Sequence, residues 1–211
     1  MTKIQENCLE DCRKYIRSLL RGDATGHDWL HVDRVEKTAM RIFRSEPGVD
    51  EFRLRLTALL HDADDRKLFP ETAKTLLHAD SFLREHSETV DNDLRERILQ
   101  DIRDIPYSGG RTPEGIEGRI VQDSDRIDAL GAIGIARLFA FGGARGITLY
   151  DPNIPPTGKP GCDSTSINHF YEKILKLEDT VNTKAGRVMA RQRARFMREY
   201  LNRFEEEVSH A

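Results

Sequence analysis

Apolar positions recur along this chain at the three- and four-residue spacing that lines one face of a helix. Ile4, Cys8, Cys12, Tyr15, Ile16, Leu19 and Leu20 form one such stripe and predict a helix over residues 4–20. Gly22 and Gly26 interrupt it. Thr25 is placed to cap the helix that follows, over about residues 27–45, with Leu30, Val35, Thr38, Ala39 and Ile42 on its inner side. The turn residues Glu46, Pro47, Gly48 and Asp50 separate it from a third helix, which carries Phe52, Leu56, Leu59 and Leu60 inward. Pro70 opens the next, over residues 70–86 with Ala73, Leu76, Leu77 and Leu83 inward, and Val90, Leu94, Ile98, Ile102 and Ile105 mark another. After a loop at 107–113, with Thr112 as cap and Pro113 as first helical residue, a long helical pattern runs from about residue 114 to 141. Residues 149–162 hold four prolines and two glycines and predict an irregular loop, and helices over about 165–183 and 185–208 complete the chain. No alternating pattern of strand length interrupts this series. The expected architecture is therefore all-α: one helical domain over residues 1–211, with a motif-bearing core at about 26–141 and the helices of about 165–208 packed on it.

The third helix ends in Leu59-Leu60-His61-Asp62-Ala63-Asp64-Asp65, where apolar residues run straight into a histidine and three carboxylates. At the edge of a core such charge is costly unless something compensates it, and a divalent metal ion is the compensator these side chains suit. Two other segments offer the same residue types. His27-Asp28-Trp29-Leu30-His31 sets two histidines one turn apart, and Asp123, Asp125 and Asp128 lie in a helical pattern flanked by Ile120-Val121 and Ala129-Leu130. Imidazoles and carboxylates together make a mixed nitrogen and oxygen donor set. It suits manganese, iron, cobalt, nickel or magnesium better than a structural zinc, and leaves coordination positions for water and substrate. Taken singly, each residue has a plainer reading: His31 as a hydrogen-bonded buried histidine, the aspartates as a solvated face paired with Arg119 and Arg126.

His31 in His31-Val32-Asp33-Arg34-Val35, the pair His61-Asp62, and Asp125 in Asp123-Ser124-Asp125-Arg126-Ile127-Asp128-Ala129-Leu130 follow one another in an order that resembles the HD-domain superfamily of metal-dependent phosphohydrolases. The likeness runs from about Gly26 to the C-terminus. Gly131-Ala132-Ile133-Gly134-Ile135-Ala136-Arg137, Leu149-Tyr150-Asp151-Pro152, Ser164-Thr165 and His169-Phe170-Tyr171-Glu172-Lys173 are similar to a bacterial subgroup of small single-domain hydrolases, the YpgQ-like proteins. Some of its members hydrolyse nucleoside triphosphates to monophosphates and pyrophosphate. The resemblance implies an HD-type helical bundle and one divalent metal ion, manganese preferred, held by His31, His61, Asp62 and Asp125. Asp65 stands where several HD phosphohydrolases carry a glutamate that helps with proton transfer, and Asp64 is its rival for that part. Arg34, Arg66, Lys67 and Arg126 are the cations expected to meet substrate phosphate, as is usual where phosphoryl charge is stabilised. His27, Asp28 and Asp128 are expected at the margin of the site, supporting the ligands. The implied substrate is a small phosphorylated metabolite. Nucleoside triphosphate pyrophosphohydrolysis comes first, 5'-nucleotidase or phosphodiesterase activity second, and a non-catalytic metal or nucleotide sensor is the reading from a different class.

Hydrophobic residues make up 38% and charged residues 33% of the chain, which describes a globular protein with a charged surface rather than a disordered segment. A net charge of -3 gives no global pull toward nucleic acid or anionic lipid, and no apolar run approaches the ~20 residues of a membrane span. Neither is expected as a partner. Arg187, Arg191, Arg193, Arg195 and Arg198 crowd the last helix, but Met189, Phe196 and Met197 interleave them and Glu205, Glu206 and Glu207 follow, which reads as a self-paired face. Residues 1–7 lack the apolar segment of a secretory signal, so the expected location is the cytosol. Three cysteines, of which Cys8 and Cys12 lie one turn apart, do not predict a disulfide framework.

Overall fold

The computed structural model describes residues 1–21, 28–157 and 165–209, and among these residues all regular structure is helical. The chain divides into two compact units, Met1–Ser124 and Asp125–Ala211. None of the described helices is by itself long and apolar enough to cross a membrane.

The first unit holds α1 (Lys3–Leu19), α2 (Trp29–Phe43), α3 (Glu51–Leu60), α4 (Leu77–Glu85), α5 (Asn92–Asp104) and α6 (Ile116–Asp128), whose residues from Asp125 onward belong to the second. Local side chains start four of these helices. Thr2, Asp28, Asp50 and Asp91 accept N–H groups from the first turns of α1, α2, α3 and α5, and Gln5 closes a capping box with Thr2. Helix α3 is the centre of the unit and packs against α1, α2 and α5. Phe52, Leu54, Leu56, Ala58, Leu59 and Leu60 are all buried, so apolar residues surround this helix on nearly every side. Leu9, Cys12 and Ile16 of α1, Phe82 and Leu83 of α4, and Ile98 and Ile102 of α5 fill the core around it. Burial pushes the Cys8 thiol up to about 11 and that of Cys12 well above its ordinary value, so both stay neutral and serve packing.

Buried ion pairs tie these helices together. Glu36 of α2 accepts from Arg13 of α1 and Arg55 of α3. Arg53 of α3 reaches Asp101 of α5 at 2.7 Å and Glu117 of α6 at 3.1 Å. Gly118 permits that close approach: a Cβ there would stand 2.5 Å from Asp101 Oδ1 and 2.6 Å from Pro113 Cβ.

The second unit holds α7 (Gly131–Ala144), α8 (Ser166–His169), a π turn at Phe170–Ile174, a 3₁₀ segment at Leu175–Thr180, and α9 (Lys184–Ser209). Helix α9 packs on α7 and on the 3₁₀ segment. Phe139, Phe170 and Tyr200 form an aromatic cluster with centroid separations of 5.9, 6.3 and 6.1 Å. The described part of the proline-rich loop is irregular and pinned at its foot. Thr157 donates its N–H and its hydroxyl to buried Glu172 at 2.9 and 3.0 Å, and Asn168 donates to the Ile154 carbonyl at 2.7 Å.

Four expectations from periodicity are corrected. The pattern from 114 to 141 is broken in two, because Leu130 is extended and Gly131 takes a positive φ of 77°. The helix expected over 70–86 begins only at Leu77, because Leu76 adopts a left-handed conformation with φ 54°. Helix α2 starts at Trp29 with Asp28 as its cap, which turns His31 and Val32 inward and leaves Leu30 57% exposed. The helix expected over 165–183 is instead a succession of α, π and 3₁₀ turns. The proposed Thr25 cap and His27 lie outside the described residues.

Candidate metal centre

Asp28 Oδ1 accepts the N–H of His31 at 2.9 Å, which fixes the first turn of α2 and with it the residue that turn carries inward. His61 is the C-terminal cap of α3 and keeps helical angles, so its ring continues the face of the helix before the chain turns. The turn is closed by N–H bonds from Ala63 to the Leu60 carbonyl and from Asp65 to the Asp62 carbonyl. Because α2 and α3 pack together, these local structures bring three donors to one point.

His31 Nε2 lies 3.3 Å from His61 Nε2 and 3.3 Å from Asp62 Oδ2, and His61 Nε2 lies 3.6 Å from Asp62 Oδ1. All three donors fall within 4.8 Å of one another. Both imidazoles are buried, while the Asp62 side chain is 14% exposed and forms the outer member of the group. His61 Nδ1 is 2.8 Å from the Ala58 carbonyl. That oxygen only accepts, so Nδ1 carries the proton and the lone pair of Nε2 is directed at His31 and Asp62. A backbone carbonyl that fixes the tautomer in this way is the usual support of a ligating histidine. Two imidazole nitrogens and a carboxylate at these separations fit a divalent ion of the mixed-donor kind.

The other residues singled out from the sequence are placed as follows. Asp125, the fourth expected ligand, is half-buried on α6 in the second unit, and its carbonyl accepts the Ala129 N–H at 3.3 Å. Asp65 is half-buried; its Oδ1 accepts the Lys67 N–H at 2.8 Å, and its carbonyl accepts from Leu68 and Phe69. Asp64 has a side chain only 1% exposed, with Oδ1 bonded to the His78 N–H at 3.1 Å and Oδ2 to the Ala79 N–H at 3.0 Å. With each oxygen bonded to an N–H at the start of α4, Asp64 is built into the fold. Arg34 is half-buried one turn beyond His31, and Arg66 and Lys67 are exposed just after the acidic cluster. Arg126 is buried and donates from Nη1 to the Thr180 carbonyl, so part of its guanidinium holds α6 to the 3₁₀ segment. Asp128 is buried against Arg137 of α7 at 2.5 Å. The partnership of Asp64 with His78 escaped sequence reasoning. Its one signal is that Leu76, the residue before α4, has no side-chain oxygen with which to cap the helix.

No family profile matches the chain. An HD-superfamily hydrolase from Bacillus thuringiensis shares the fold at a TM-score of 0.77 with 38% identity, over 98% of this chain and 100% of that one. The uncharacterized protein YpgQ of Bacillus subtilis (strain 168) is 34% identical over 203 residues, which is 94% of this chain and 93% of that protein. A crystal structure of Bacillus subtilis YpgQ in complex with ADP matches at a TM-score of 0.75 with 32% identity, over 97% and 96% of the two chains. The fold is that of the HD-superfamily hydrolases. Within that superfamily the chain belongs to the YpgQ-like subgroup.

Proposed function

We propose that this protein is a metal-dependent phosphohydrolase that cleaves a nucleoside triphosphate, with one water, to the monophosphate and pyrophosphate. The observation that carries the reading is the convergence of His31, His61 and Asp62 donors within 4.8 Å. The ADP complex of the related YpgQ supports a nucleotide as the substrate class. A divalent ion bound by these side chains, manganese first among the candidates, would supply Lewis-acid chemistry to a water and to a phosphoryl oxygen. Asp125 joins the ligand set on the resemblance, and its replacement by alanine tests that assignment.

The protein's own groups do the rest. The Ala58 carbonyl keeps the proton on His61 Nδ1, so Nε2 remains an electron-pair donor. Asp65 is the proton-transfer residue: its bond to the Lys67 N–H orients the carboxylate, and an ionised carboxylate keeps acceptor sites beyond that one. Arg34, Arg66 and Lys67 meet the triphosphate, and Arg126 joins them on the resemblance. Asp28 holds His31 through the cap of α2, and Asp128 steadies α6 through Arg137. The protein acts in the cytosol as one functional domain, without a nucleic-acid or membrane partner.

Incubation with Mn(II) and a panel of nucleoside triphosphates and monophosphates, assayed for pyrophosphate, free phosphate and nucleoside, tests this directly. Equimolar monophosphate and pyrophosphate are expected from triphosphates, with no product from monophosphates. Phosphate and nucleoside released from monophosphates would replace the reading with a nucleotidase. Nucleotide binding without turnover under any metal would leave a sensor.

A further inference from the structure

We infer that Asp64 and His78 are positioning residues that clamp the metal-ligand turn to the start of α4, an inference that rests on the reading of His61 and Asp62 as ligands. After Asp62 the chain must leave α3, and short turn bonds alone hold a polypeptide loosely. Helix α4 has the opposite need. Leu76 stands before it at φ 54° and ψ 44°, a conformation side chains rarely adopt, and provides no side-chain cap for the N–H groups that follow.

One carboxylate answers both needs. Asp64 accepts the His78 N–H on Oδ1 at 3.1 Å and the Ala79 N–H on Oδ2 at 3.0 Å, capping α4 from 14 and 15 residues away, where the positive end of the helix also favours its charge. The His78 ring then turns back toward the turn. Its Nδ1 lies 3.0 Å from Asp64 Oδ1 and 3.2 Å from the Ala63 carbonyl. Both oxygens accept only, so Nδ1 carries the proton and shares it between them. The ring itself is held by Phe69, edge-on at 4.8 Å, and the His78 carbonyl by the Tyr15 hydroxyl at 3.3 Å.

The Ala63 carbonyl and the Asp64 carboxylate, the groups directly after Asp62, are thus fastened to one residue of α4. Neither Asp64 nor His78 touches His31, His61 or Asp62 through any of these bonds. They act through the backbone, by fixing the direction in which the chain leaves Asp62 and hence where its carboxylate stands against the two imidazoles. A site loosened by even a fraction of an ångström loses much of its preorganisation.

The test compares H78A, H78N and D64A with the wild type by Mn(II) titration followed by electron paramagnetic resonance, with thermal unfolding of each apo protein alongside. Asparagine places an N–H close to where Nδ1 stands, and alanine does not. H78A is expected to weaken Mn(II) binding about tenfold, the lower end of what removing support from a metal ligand costs. H78N should recover most of that loss, and raising Mn(II) should restore turnover in H78A. D64A should match or exceed H78A; if it fails to fold, the two His78 variants decide the matter. Wild-type Mn(II) affinity in folded H78A, or equal losses in H78A and H78N, would overturn the clamp while leaving the metal reading intact. Absence of Mn(II) binding by the wild type would overturn both.

Discussion

Arg53 and His61 stand on one face of α3, eight residues and two turns apart, and around each of them charge is buried. At the Arg53 end the chain supplies a permanent cation, whose fork reaches Asp101 at 2.7 Å and Glu117 at 3.1 Å and joins α3 to α5 and α6. At the His61 end the atoms that converge are electron-pair donors: two imidazole nitrogens 3.3 Å apart and a carboxylate at 3.3 and 3.6 Å. A guanidinium cannot be exchanged, so the first cluster can only hold the fold. A lone-pair set accepts a cation from solution, so the second can do chemistry. Burial of polar groups alone therefore does not mark a functional site; the kind of group that meets the charge does.

Removing a donor at the His61 end breaks the contrast most severely. H61A or D62A should lower pyrophosphate release by more than the roughly 100-fold that loss of an outer partner of a metal ligand costs. The apo protein should stay folded by circular dichroism; full activity in chelator-treated D62A would end the metal reading. At the other end R53M should do the reverse. It leaves Asp101 and Glu117 buried without their cation and should cost about 3–5 kcal/mol in urea unfolding, while the folded protein binds Mn(II) as before. A loss of Mn(II) affinity on the same scale would mean that the two ends are not separate devices.

A narrower test lies just past the ligands. D65N can still accept the Lys67 N–H through its amide oxygen, so the turn should survive, with metal affinity unchanged and kcat lowered about 100-fold. An unchanged kcat removes Asp65 from proton transfer. The smallest effect is on pH dependence at the Arg53 end. Burial pushes the Asp101 carboxyl up from 3.8 to about 6, with Arg53 pulling against it. The folded state then holds this proton more tightly than the unfolded chain. The stability it contributes is complete below the unfolded value near 3.8 and is lost as pH rises through about 6. The Tm of the wild type relative to D101N should therefore fall between about pH 4 and 6, and a rise over that interval would contradict the assignment.

The helices that present one apolar stripe, α1 and α5, and the short apolar α3 could be read from spacing, because each buries residues that recur at helical intervals. The breaks could not. Leucine normally continues a helix, and nothing near Leu76 announces its left-handed turn, since the carboxylate that caps α4 comes from Asp64. Leu30 falls at inner spacing in the sequence, but Asp28 fixes where α2 begins and turns it outward. In the candidate site, His31, His61 and Asp62 were legible because their residue types and order are restrictive. The contacts of Arg126 with Thr180 and of Asp64 with His78 were not, because they join residues 54 and 14 positions apart through groups any sequence could carry.

Equilibrium titration of the metal-stripped protein with Mn(II), set beside the same titration of D62A, tests the central claim most directly. The wild type should take up a single tightly bound Mn(II) per chain and D62A should not. Equal binding by the two proteins, or none by either, would contradict a metal centre at His31, His61 and Asp62.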